Sequence, residues 1–426
     1  MRQASTATRL PRGATALFAV VCGIAVANVY FAQPLLVTLG KEFALSPAAL
    51  GVVVTLTQVG YGLGLFFVVP LGDLLDRRRL ITAQLLLLAA ALFLVATATT
   101  ATVLLAAMAS VGLFAVVTQS LVACAASLAE PARRGRVVGA VTSGVVTGIL
   151  LARTVSGLLA DLAGWRSVYF VSAVLACSAA LVLHRVIPPR DTPVPALGYG
   201  RLLASTVRLF TGERLMRRRA LFALLVFAAF STLWSCVALV LSEPPMSLSP
   251  TAIGAFGLLG AAGALAANAA GRLNDRGHAR RTTGAALAVL TLSWLPLAFT
   301  THSLWALAAG VILLDLAVQA VHVTNQSVIH ALRPDAGSRL IGGYMVFYSI
   351  GSAAGAIAST ALYAVAGWGA VCVLGAAFSA LALAVWAFAK DGTDERTREP
   401  SIRLAPEVLG GRPHRADAPA VPNLGP

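Results

Sequence analysis

Three ionisable side chains lie inside long apolar stretches of this sequence: Asp315, Arg153 and His322. A charged side chain at the centre of a bilayer costs about 2.5–3.5 kcal/mol on insertion scales, so such residues are generally paired or functional. Burial disfavours the charged form of a carboxylic acid, whereas a nearby arginine favours it. These residue types therefore predict proton coupling, in which Asp315 takes up a proton outside and releases it inside as Arg153 approaches or withdraws.

Polar residues around Asp315 recur at helical spacing. Asp315, Gln319, His322 and Gln326 stand at i, i+4, i+7 and i+11, which places them on one helix face, and Asn325 flanks them. A polar stripe in an apolar helix must face a water-filled cavity or polar groups of another helix. The alternative is a permanent pair of Asp315 with Arg153 or with His322 that only fixes helix packing.

The elements that position these residues are membrane spans. The chain has 426 residues, of which 58% are hydrophobic and 12% are charged, and this composition excludes a soluble globular protein. A spanning helix needs about 20 mostly apolar residues. Hydropathy and helix breakers predict twelve spans, numbered in chain order: 14–38, 49–70, 80–98, 102–128, 136–160, 166–187, 219–242, 251–271, 282–300, 304–330, 339–364 and 368–389.

The formal net charge of +15 follows from membrane topology. Among the lysines and arginines, only Lys41 and Arg166 fall in loops on one side of the predicted spans, and Arg153 falls inside a span. All others lie in the two tails or in the loops of the opposite side, so the positive-inside bias predicts that both termini are cytoplasmic. A nucleic-acid partner is not needed to explain the charge.

Three motifs occur twice along the chain. Leu45–Gly51 recurs as Leu248–Gly254, the stretch 72–77 recurs as 271–276, and Gly164-Trp165 recurs as Gly367-Trp368. Two parallel repeats are typical of carriers, which hold their site at the interface between the repeats. The predicted organisation is a cytoplasmic N-tail (1–13), a six-helix bundle (14–187), a cytoplasmic linker (188–218), a second six-helix bundle (219–389) and a disordered tail (390–426).

Glycine spacing predicts which helices form the seam between the two bundles. Small residues three or four positions apart let helix backbones approach closely in lipid. Spans 2, 5, 8 and 11 carry such glycines, so we expect these spans to form the seam. The glycines are Gly60, Gly64, Gly144, Gly148, Gly254, Gly257, Gly260, Gly263, Gly351 and Gly355.

These residues resemble the major facilitator superfamily, and its bacterial drug-proton antiporter-like efflux members in particular. The loop Gly72–Arg79 is similar to the signature between helices 2 and 3 of that superfamily, and Gly271–Gly277 stands at its weaker second copy. The stretches 28–36 and 148–157 resemble a narrower bacterial subgroup. Arg79, Met108 and the lack of a Gly-Pro pair in span 5 depart from the motifs of the antiporters.

The resemblance implies an all-α integral membrane fold of twelve transmembrane helices arranged as two six-helix pseudo-repeats. It also implies a conformational gate at Gly72, Asp73, Asp76 and Arg77, in which an acid at the inner end of span 2 caps the facing span 11. The second copy of the gate is formed by Gly271, Asp275 and Arg276. The cavity-lining helices of the family are spans 1, 4, 7 and 10, where the polar and aromatic candidates are Asn28, Tyr30, Gln33, Gln119, Trp234, Gln319, Asn325 and Gln326.

The function predicted from these features is proton-coupled export of a small organic compound across a bacterial inner membrane. An importer or facilitator on the same fold is the first alternative, and a non-transporting receptor or a membrane enzyme is the second. Two lysines and no phosphate-binding loop argue against ATP-driven transport. No catalytic motif, metal spacing or disulfide framework occurs, so we expect no enzymatic activity and no cofactor. We expect the lipid-embedded protein to be a monomer.

Overall fold

The computed structural model describes residues 13–130, 133–189, 198–332 and 337–389, and the regular elements of these residues are all helical. The predicted N-tail up to residue 12, part of the predicted linker (190–197) and the tail 390–426 lie outside the described residues. We refer to 13–189 as the N-terminal half and to 198–389 as the C-terminal half.

The N-terminal half begins with an apolar helix of 14 residues, about four turns, that is then interrupted. Span 1 was predicted as a single stretch, 14–38. The structure differs, because turns at 28–32 and a 3-10 helix at Gln33–Leu35 separate two α-helices. Pro34 lies in the 3-10 helix and lacks the N–H that a continuous helix would need. The α-helices of this half are α1 (Ala14–Ala27), α2 (Leu36–Glu42), α3 (Pro47–Leu63), α4 (Arg77–Ala96), α5 (Ala101–Ala115), α6 (Val117–Leu128), α7 (Arg134–Ala163) and α8 (Trp165–Val186).

The C-terminal half begins inside the predicted linker, where residues 199–212 form a helix of their own. The next helix starts at Arg214, five residues before the predicted start of span 7. The α-helices of this half are α9 (Tyr199–Gly212), α10 (Arg214–Ser242), α11 (Pro250–Ala255), α12 (Ala261–Asp275), α13 (Ala279–Leu292), α14 (Trp294–Ala298), α15 (Leu304–Leu332) and α16 (Gly337–Phe388).

Several of these helices are suited to a bilayer. Within the described ranges, nine helical segments are long and apolar enough to cross a membrane. One of them, Leu340–Phe388, is 49 residues long, and its backbone leaves helical geometry at Gly367. The gap predicted between spans 11 and 12, residues 365–367, includes this glycine.

Two of the three repeated sequence motifs form the same local structure in both halves. Ser46 and Ser249 cap α3 and α11, because each hydroxyl accepts a hydrogen bond from the backbone N–H three residues later. A proline follows each serine at the first helical position, as the sequence predicts. Gly164 and Gly367 have φ of 80° and 68°, a conformation that favours glycine, and each ends one helix directly before a tryptophan.

The two halves contact each other through α3 with α16 and through α7 with α11. This confirms that predicted spans 2, 5, 8 and 11 form the seam. The glycine argument for the seam is largely wrong, however. A Cβ on Gly60 would lie 2.0 Å from the carbonyl of Ala109 on α5, in the same half.

Most of the other glycines that were predicted to lie in the seam also pack within one half. Those at 144 and 148 fit against α1, and those at 351 and 355 fit against α10, so most of them permit close packing within a half. Of the ten glycines named in that prediction, those at 254, 257 and 260 are the ones that meet the opposite half, since a Cβ on Gly254 would lie 2.3 Å from the carbonyl of Arg153.

The halves meet most closely at the end of the bundle that carries Ser46 and Ser249, which we call the Ser-Pro end. There the Asp161 carboxylate accepts a hydrogen bond from the Thr251 N–H at 3.0 Å, across the halves. The opposite end, which carries residues 72–77 and 271–276, is the motif end. Among the described residues, no atom of another element lies within 4 Å of a Cβ placed on Gly139 of α7 or Gly271 of α12, so these two positions are not packed against a neighbour.

The centre of the bundle is α10. Nearly every residue from Arg219 to Leu241 is buried, in agreement with a helix that is apolar on all sides. Trp234 of this helix is 1% exposed and lies where both halves converge. This position makes α10 the wall against which the predicted site residues of α7 and α15 pack.

Candidate functional site

The buried centre is built around Arg153, which α7 contributes from the N-terminal half. Its side chain is 2% exposed, and its Nε donates a hydrogen bond of 2.7 Å to Oε1 of Gln33. The guanidinium stacks 3.8 Å from the centre of the Trp234 ring, with Tyr30 at 5.2 Å and Phe230 at 5.6 Å. Cation–π contacts of this kind stabilise a desolvated guanidinium, and Arg is suited to them because its charge is planar and weakly hydrated.

Asp315 enters the same region from α15 and is 6% exposed. Its carboxylate packs over Gly260, where a Cβ would lie 2.6 Å from Oδ2. Arg153 is the charged group that acts electrostatically on Asp315, and the indole N–H of Trp234 is directed at the Asp315 carboxylate as a hydrogen-bond donor. Within the described part of the chain, however, no ion pair joins Asp315 to Arg153 within 4.0 Å, and Oδ1 of Asp315 has no hydrogen-bond partner.

The fixed pairs of the packing alternative are therefore not formed. Arg153 is bound to Gln33. His322 is also engaged elsewhere, since its Nδ1 lies 2.9 Å from the Tyr344 hydroxyl and its Nε2 lies 3.0 Å from the amide nitrogen of Gln326. The proton-coupling candidates thus divide into a central site with Asp315 and Arg153 and a second cluster with His322.

The second cluster lies towards the motif end of α15 and includes a second buried arginine. Arg219 of α10 is 1% exposed, and its Nη1 donates to Oδ1 of Asn325 at 3.1 Å and to the Thr283 hydroxyl at 3.2 Å. Asn325 in turn donates to the Tyr344 hydroxyl at 3.5 Å. This network engages the polar side chains of α15 near its motif end, His322, Asn325 and Gln326, inside the C-terminal half.

Aromatic side chains connect the central site to the second cluster. The hydroxyls of Tyr30 and Tyr348 lie 2.5 Å apart, across the two halves. The ring of Tyr348 is 4.0 Å from that of Phe227, which lies 5.2 Å from the imidazole of His322. A continuous row of polar and aromatic groups therefore runs along α10 between the halves.

The remaining cavity candidates do not join the central site. Asn28 accepts a hydrogen bond of 2.7 Å from Ser172 of α8 and donates to the carbonyl of Ile24, so it bonds within the N-terminal half. Gln119 of α6 hydrogen-bonds to Tyr61. Gln319 is half-buried, and its side chain packs against Gly263.

The first gate copy, residues 72–77, folds around the start of α4. Asp76 is the N-cap of that helix and accepts a hydrogen bond of 3.0 Å from the Arg78 N–H. Arg77 donates to the carbonyl of Gly72 at 3.4 Å and to that of Ala123 on α6 at 3.3 Å. Asp76 thus caps its own helix, which leaves Asp73 as the acid available to the start of α16.

Asp73 and the start of α16 border one cavity. This cavity has a volume of about 90 Å³ and lies at the motif end between the two halves. Gly342 and Gly343 of α16, Arg77 of the gate and Leu202 of α9 also line it. The gate loop and the helix of the predicted linker therefore meet at the same place.

The second gate copy has a different local structure. Asp275 is the last residue of α12, and α13 begins only at Ala279. The added residues include Gly277, whose φ of 80° ends the helix in a left-handed conformation. Asp275 and Arg276 are exposed, whereas their neighbour Asn274 donates to the Thr324 hydroxyl at 3.2 Å.

Comparison with known proteins assigns the family. Residues 16–282 and 246–420 match the Major Facilitator Superfamily. The chain belongs to this superfamily. It is 46% identical over 370 residues to the uncharacterized transporter YgaY of Escherichia coli O157:H7, an alignment that covers 87% of this chain and 94% of that protein. The protein is a membrane transporter and not an enzyme.

Solved structures of the superfamily share the fold. The human organic anion transporter MFSD10 aligns with a TM-score of 0.68 at 19% identity, covering 88% of this chain and 99% of that chain. A bacterial homologue of the human lysosomal transporter Spinster, in an inward-facing unoccupied conformation, aligns with a TM-score of 0.69 at 14% identity, covering 90% and 96%. At these identities the likeness concerns the fold alone.

In this major facilitator protein, sequence analysis missed several residues of the site. Arg219 is the first residue of predicted span 7 and was counted with the basic residues that precede it on the cytoplasmic side, yet its side chain is buried against Asn325. Tyr344 and Tyr348 of α16 and Phe227 and Phe230 of α10 resemble ordinary apolar residues of a membrane span. The signal available was spacing, since each pair lies on one helix face three or four residues apart.

Proposed function

We propose that this transporter is a secondary active exporter that moves a small organic compound by proton-coupled antiport and alternating access. Asp315 carries the proposal: it is an almost fully buried carboxyl group at the meeting point of the two halves, and it has no ion-pair partner among the described residues. An unpaired buried carboxylate is costly, and taking up a proton removes that cost. A group of this kind can gain and lose a proton as the surroundings of the site change.

Arg153 supplies the change of surroundings. It belongs to α7, while Asp315 belongs to α15, so relative movement of the halves alters their separation. An arginine that approaches favours the ionised carboxyl, and one that withdraws favours the protonated form. His322 is the third proton-coupling candidate, and its contacts with Tyr344 and Gln326 give a protonation change there a route to α16.

The same proposal includes the topology. The helices are arranged as twelve spans in two six-helix pseudo-repeats, with the motif end and both termini on the cytoplasmic side of a bacterial inner membrane. Basic residues concentrated at the motif end support this orientation. The closed Ser-Pro end then faces outwards, and the bundle opens inwards at the motif end, where Gly139 and Gly271 are not packed against a neighbour.

The gate residues are proposed to control this opening. Asp73 of the first copy and the start of α16 border the same cavity at the motif end, so closure can bring the carboxylate to the positive end of that helix. Arg77 hydrogen-bonds the gate loop to α6, so α4 and α6 move together with the loop. Asp275 and Arg276 of the second copy are exposed and are proposed to act only when the two halves close.

The test is proton movement in proteoliposomes that contain the purified full-length chain and a pH-sensitive dye. Candidate solutes are added on one side, and the direction of solute-triggered proton flux is recorded. Flux opposite to that of the solute establishes antiport, and flux in the same direction would establish an importer of the symport class. Solute movement without proton flux would leave a facilitator, which would refute coupling.

A further inference from the structure

A groove runs between α4 and α8 on the surface of the N-terminal half. Its volume is about 530 Å³, and most of the side chains that line it are apolar. Ala89 and Ala173 are buried and form its floor, whereas its walls are 46–62% exposed. The walls are formed by Leu86, Phe93, Phe170, Val174 and Leu181. Because α4 and α8 are apolar enough to span a bilayer, this groove contacts lipid acyl chains.

The two ends of this α4–α8 groove differ in chemistry. Towards the Ser-Pro end, the rings of Phe93 and Phe170 lie 6.3 Å apart and close the groove. Towards the motif end, the Thr82 hydroxyl lies 3.2 Å from Nδ1 of His184, which makes that end polar. Thr82 and Phe93 are eleven residues apart, which corresponds to about 16 Å along a helix. This length is about half of a hydrocarbon core of about 30 Å, so the groove fits one acyl chain of a single leaflet.

Helical periodicity places two arginines at the motif end of the groove. Arg78 stands four residues before Thr82 and eight before Leu86, so it shares the face of α4 that lines the groove. Arg185 stands four residues after Leu181, on the corresponding face of α8. Arg185 is exposed, and the buried Nε of Arg78 has no hydrogen-bond partner among the described residues. A guanidinium group presents five N–H donors in a planar fork and can bind a phosphate through two parallel hydrogen bonds.

Neither arginine is neutralised by an acid in the part of the chain that the structure describes, where no ion pair within 4.0 Å involves Arg78 or Arg185. Asp76, the acid nearest to Arg78 in sequence, instead caps α4 by accepting a hydrogen bond from the Arg78 backbone. At the Ser-Pro end of α8 the situation is reversed, because Arg166 is already paired with Glu42. An anionic group is therefore attracted to the motif end of the groove.

We infer that the α4–α8 groove binds one anionic phospholipid from the leaflet at the motif end. Its phosphate is held by Arg78 and Arg185, and one of its acyl chains lies along the groove towards Phe93 and Phe170. Basic side chains between transmembrane helices are suited to anionic lipid headgroups. A zwitterionic lipid would bring a cationic group to the two arginines, and a soluble phosphate would leave the apolar groove unfilled.

The experiment is native mass spectrometry of the full-length protein in detergent, titrated with two lipids that have the same oleoyl chains. We expect one dioleoyl phosphatidylglycerol per chain to bind at least tenfold more tightly than dioleoyl phosphatidylcholine. Arg78→Gln and Arg185→Gln should each weaken binding of phosphatidylglycerol at least fivefold. As a control, Arg208→Gln removes the same charge from an exposed position on α9, which contacts α10 and α16, and should leave binding unaltered.

Substitutions at two exposed alanines of α4 test the apolar part of the site. Ala90 lines the groove, so Ala90→Phe should fill it and weaken binding of phosphatidylglycerol at least fivefold. Ala83 is exposed outside the groove lining, so Ala83→Phe should bind the lipid as wild type does. Thermal unfolding of both variants checks that they are equally well folded.

Several results would overturn this assignment. Equal affinity for the two lipids would show that charge does not select the lipid, and equal losses in Arg78→Gln and Arg208→Gln would show that only general surface charge attracts it. Binding of glycerol 3-phosphate as tight as that of the lipid would identify a phosphate site without a groove. A dimer without bound lipid would show that this face joins two copies of the chain. None of these results depends on transport, so the proposed antiport is tested separately.

Discussion

The hydroxyl groups of Tyr30 and Tyr348 lie 2.5 Å apart and join the two halves of the chain beside the buried Arg153. Tyr30 follows α1, and Tyr348 lies in α16, so the contact breaks if the halves separate at this level. Both side chains are buried, at 4% and 6% exposure. The hydrogen bond therefore stabilises the conformation that the structure shows, with the Ser-Pro end closed.

Removing one of these hydroxyls should destabilise the closed conformation. Tyr30→Phe and Tyr348→Phe each leave a buried hydroxyl without its partner, at a cost of about 1–3 kcal/mol. The double variant should be less destabilised than the sum of the two single variants, as thermal unfolding in detergent would measure. As a control, Tyr363→Phe, which alters an exposed contact with Glu243, should add to Tyr30→Phe without coupling. Additive effects for the central pair would contradict the contact.

Close helix packing predicts opposite outcomes for two glycine substitutions. A Cβ on Gly112 of α5 would lie 1.9 Å from the carbonyl of Thr57 on α3, so Gly112→Ala should lower stability by about 1–3 kcal/mol. Gly139 of α7 has open space around it, so Gly139→Ala should be neutral or stabilise the helix by up to about 1 kcal/mol. Thermal unfolding of both variants checks this prediction, and an equal loss of stability would show that α3 and α5 do not pack in this way.

The role of Asp76 can be separated into capping and gating. Because Asp76 accepts a hydrogen bond from the Arg78 N–H, Asp76→Ala should cost about 0.5–2 kcal/mol of stability, and Asp76→Asn should retain most of it. Asp275→Ala should have little effect on stability, since this exposed residue caps no helix. If Asp76→Asn is as stable as wild type but loses transport, its charge has a role in the gate in addition to the cap.

The loop at the Ser-Pro end should respond to acid through Glu42. Its carboxylate accepts hydrogen bonds from the Trp165 indole and the Arg166 guanidinium. Partial burial raises the pKa of Glu42, but these two contacts outweigh it and hold the pKa below its ordinary value. The stabilisation is therefore complete above the ordinary pKa of glutamate, about 4.3, and is lost as pH falls through the lower value in the folded state.

Thermal unfolding between pH 6 and pH 3 measures this contribution. Wild type should lose stability over that range faster than Glu42→Gln, which cannot titrate at this position. Arg166→Gln should weaken the dependence because one of the two contacts is removed. Parallel stability curves for wild type and Glu42→Gln would rule out the contact as the source of acid sensitivity.

The helical segments could be predicted because their apolar runs are long, and their starts could be predicted because Ser46, Ser249 and the following prolines are strong local signals. The interruption of span 1 was not predicted, although Pro34 is a helix-breaking signal at that place; the turn at 28–32 then lets Gln33 bond to Arg153. Glycine spacing indicated close helix contacts correctly. Which helices those contacts join depends on tertiary packing, and spacing alone does not contain that information.

The candidate site was predicted in part. Charge inside a span identified Asp315 and Arg153, and aromatic character identified Trp234, which stacks on Arg153. Periodicity placed His322 on the same stripe as Asp315, but His322 bonds within a separate cluster, because Tyr344 of α16 offers it a nearer partner. Arg219 was missed since a sequence cannot distinguish a buried arginine from the exposed arginines that precede it in the same helix.

The central claim is that Asp315 couples protons to solute movement, and an uncoupling measurement tests it most directly. Proteoliposomes containing wild type or Asp315→Asn are compared for solute exchange at equilibrium and for solute-driven proton flux. The account predicts that Asp315→Asn still exchanges solute, with altered affinity, but produces no proton flux. Equal proton flux per transported solute in wild type and Asp315→Asn would contradict it and place the proton site elsewhere.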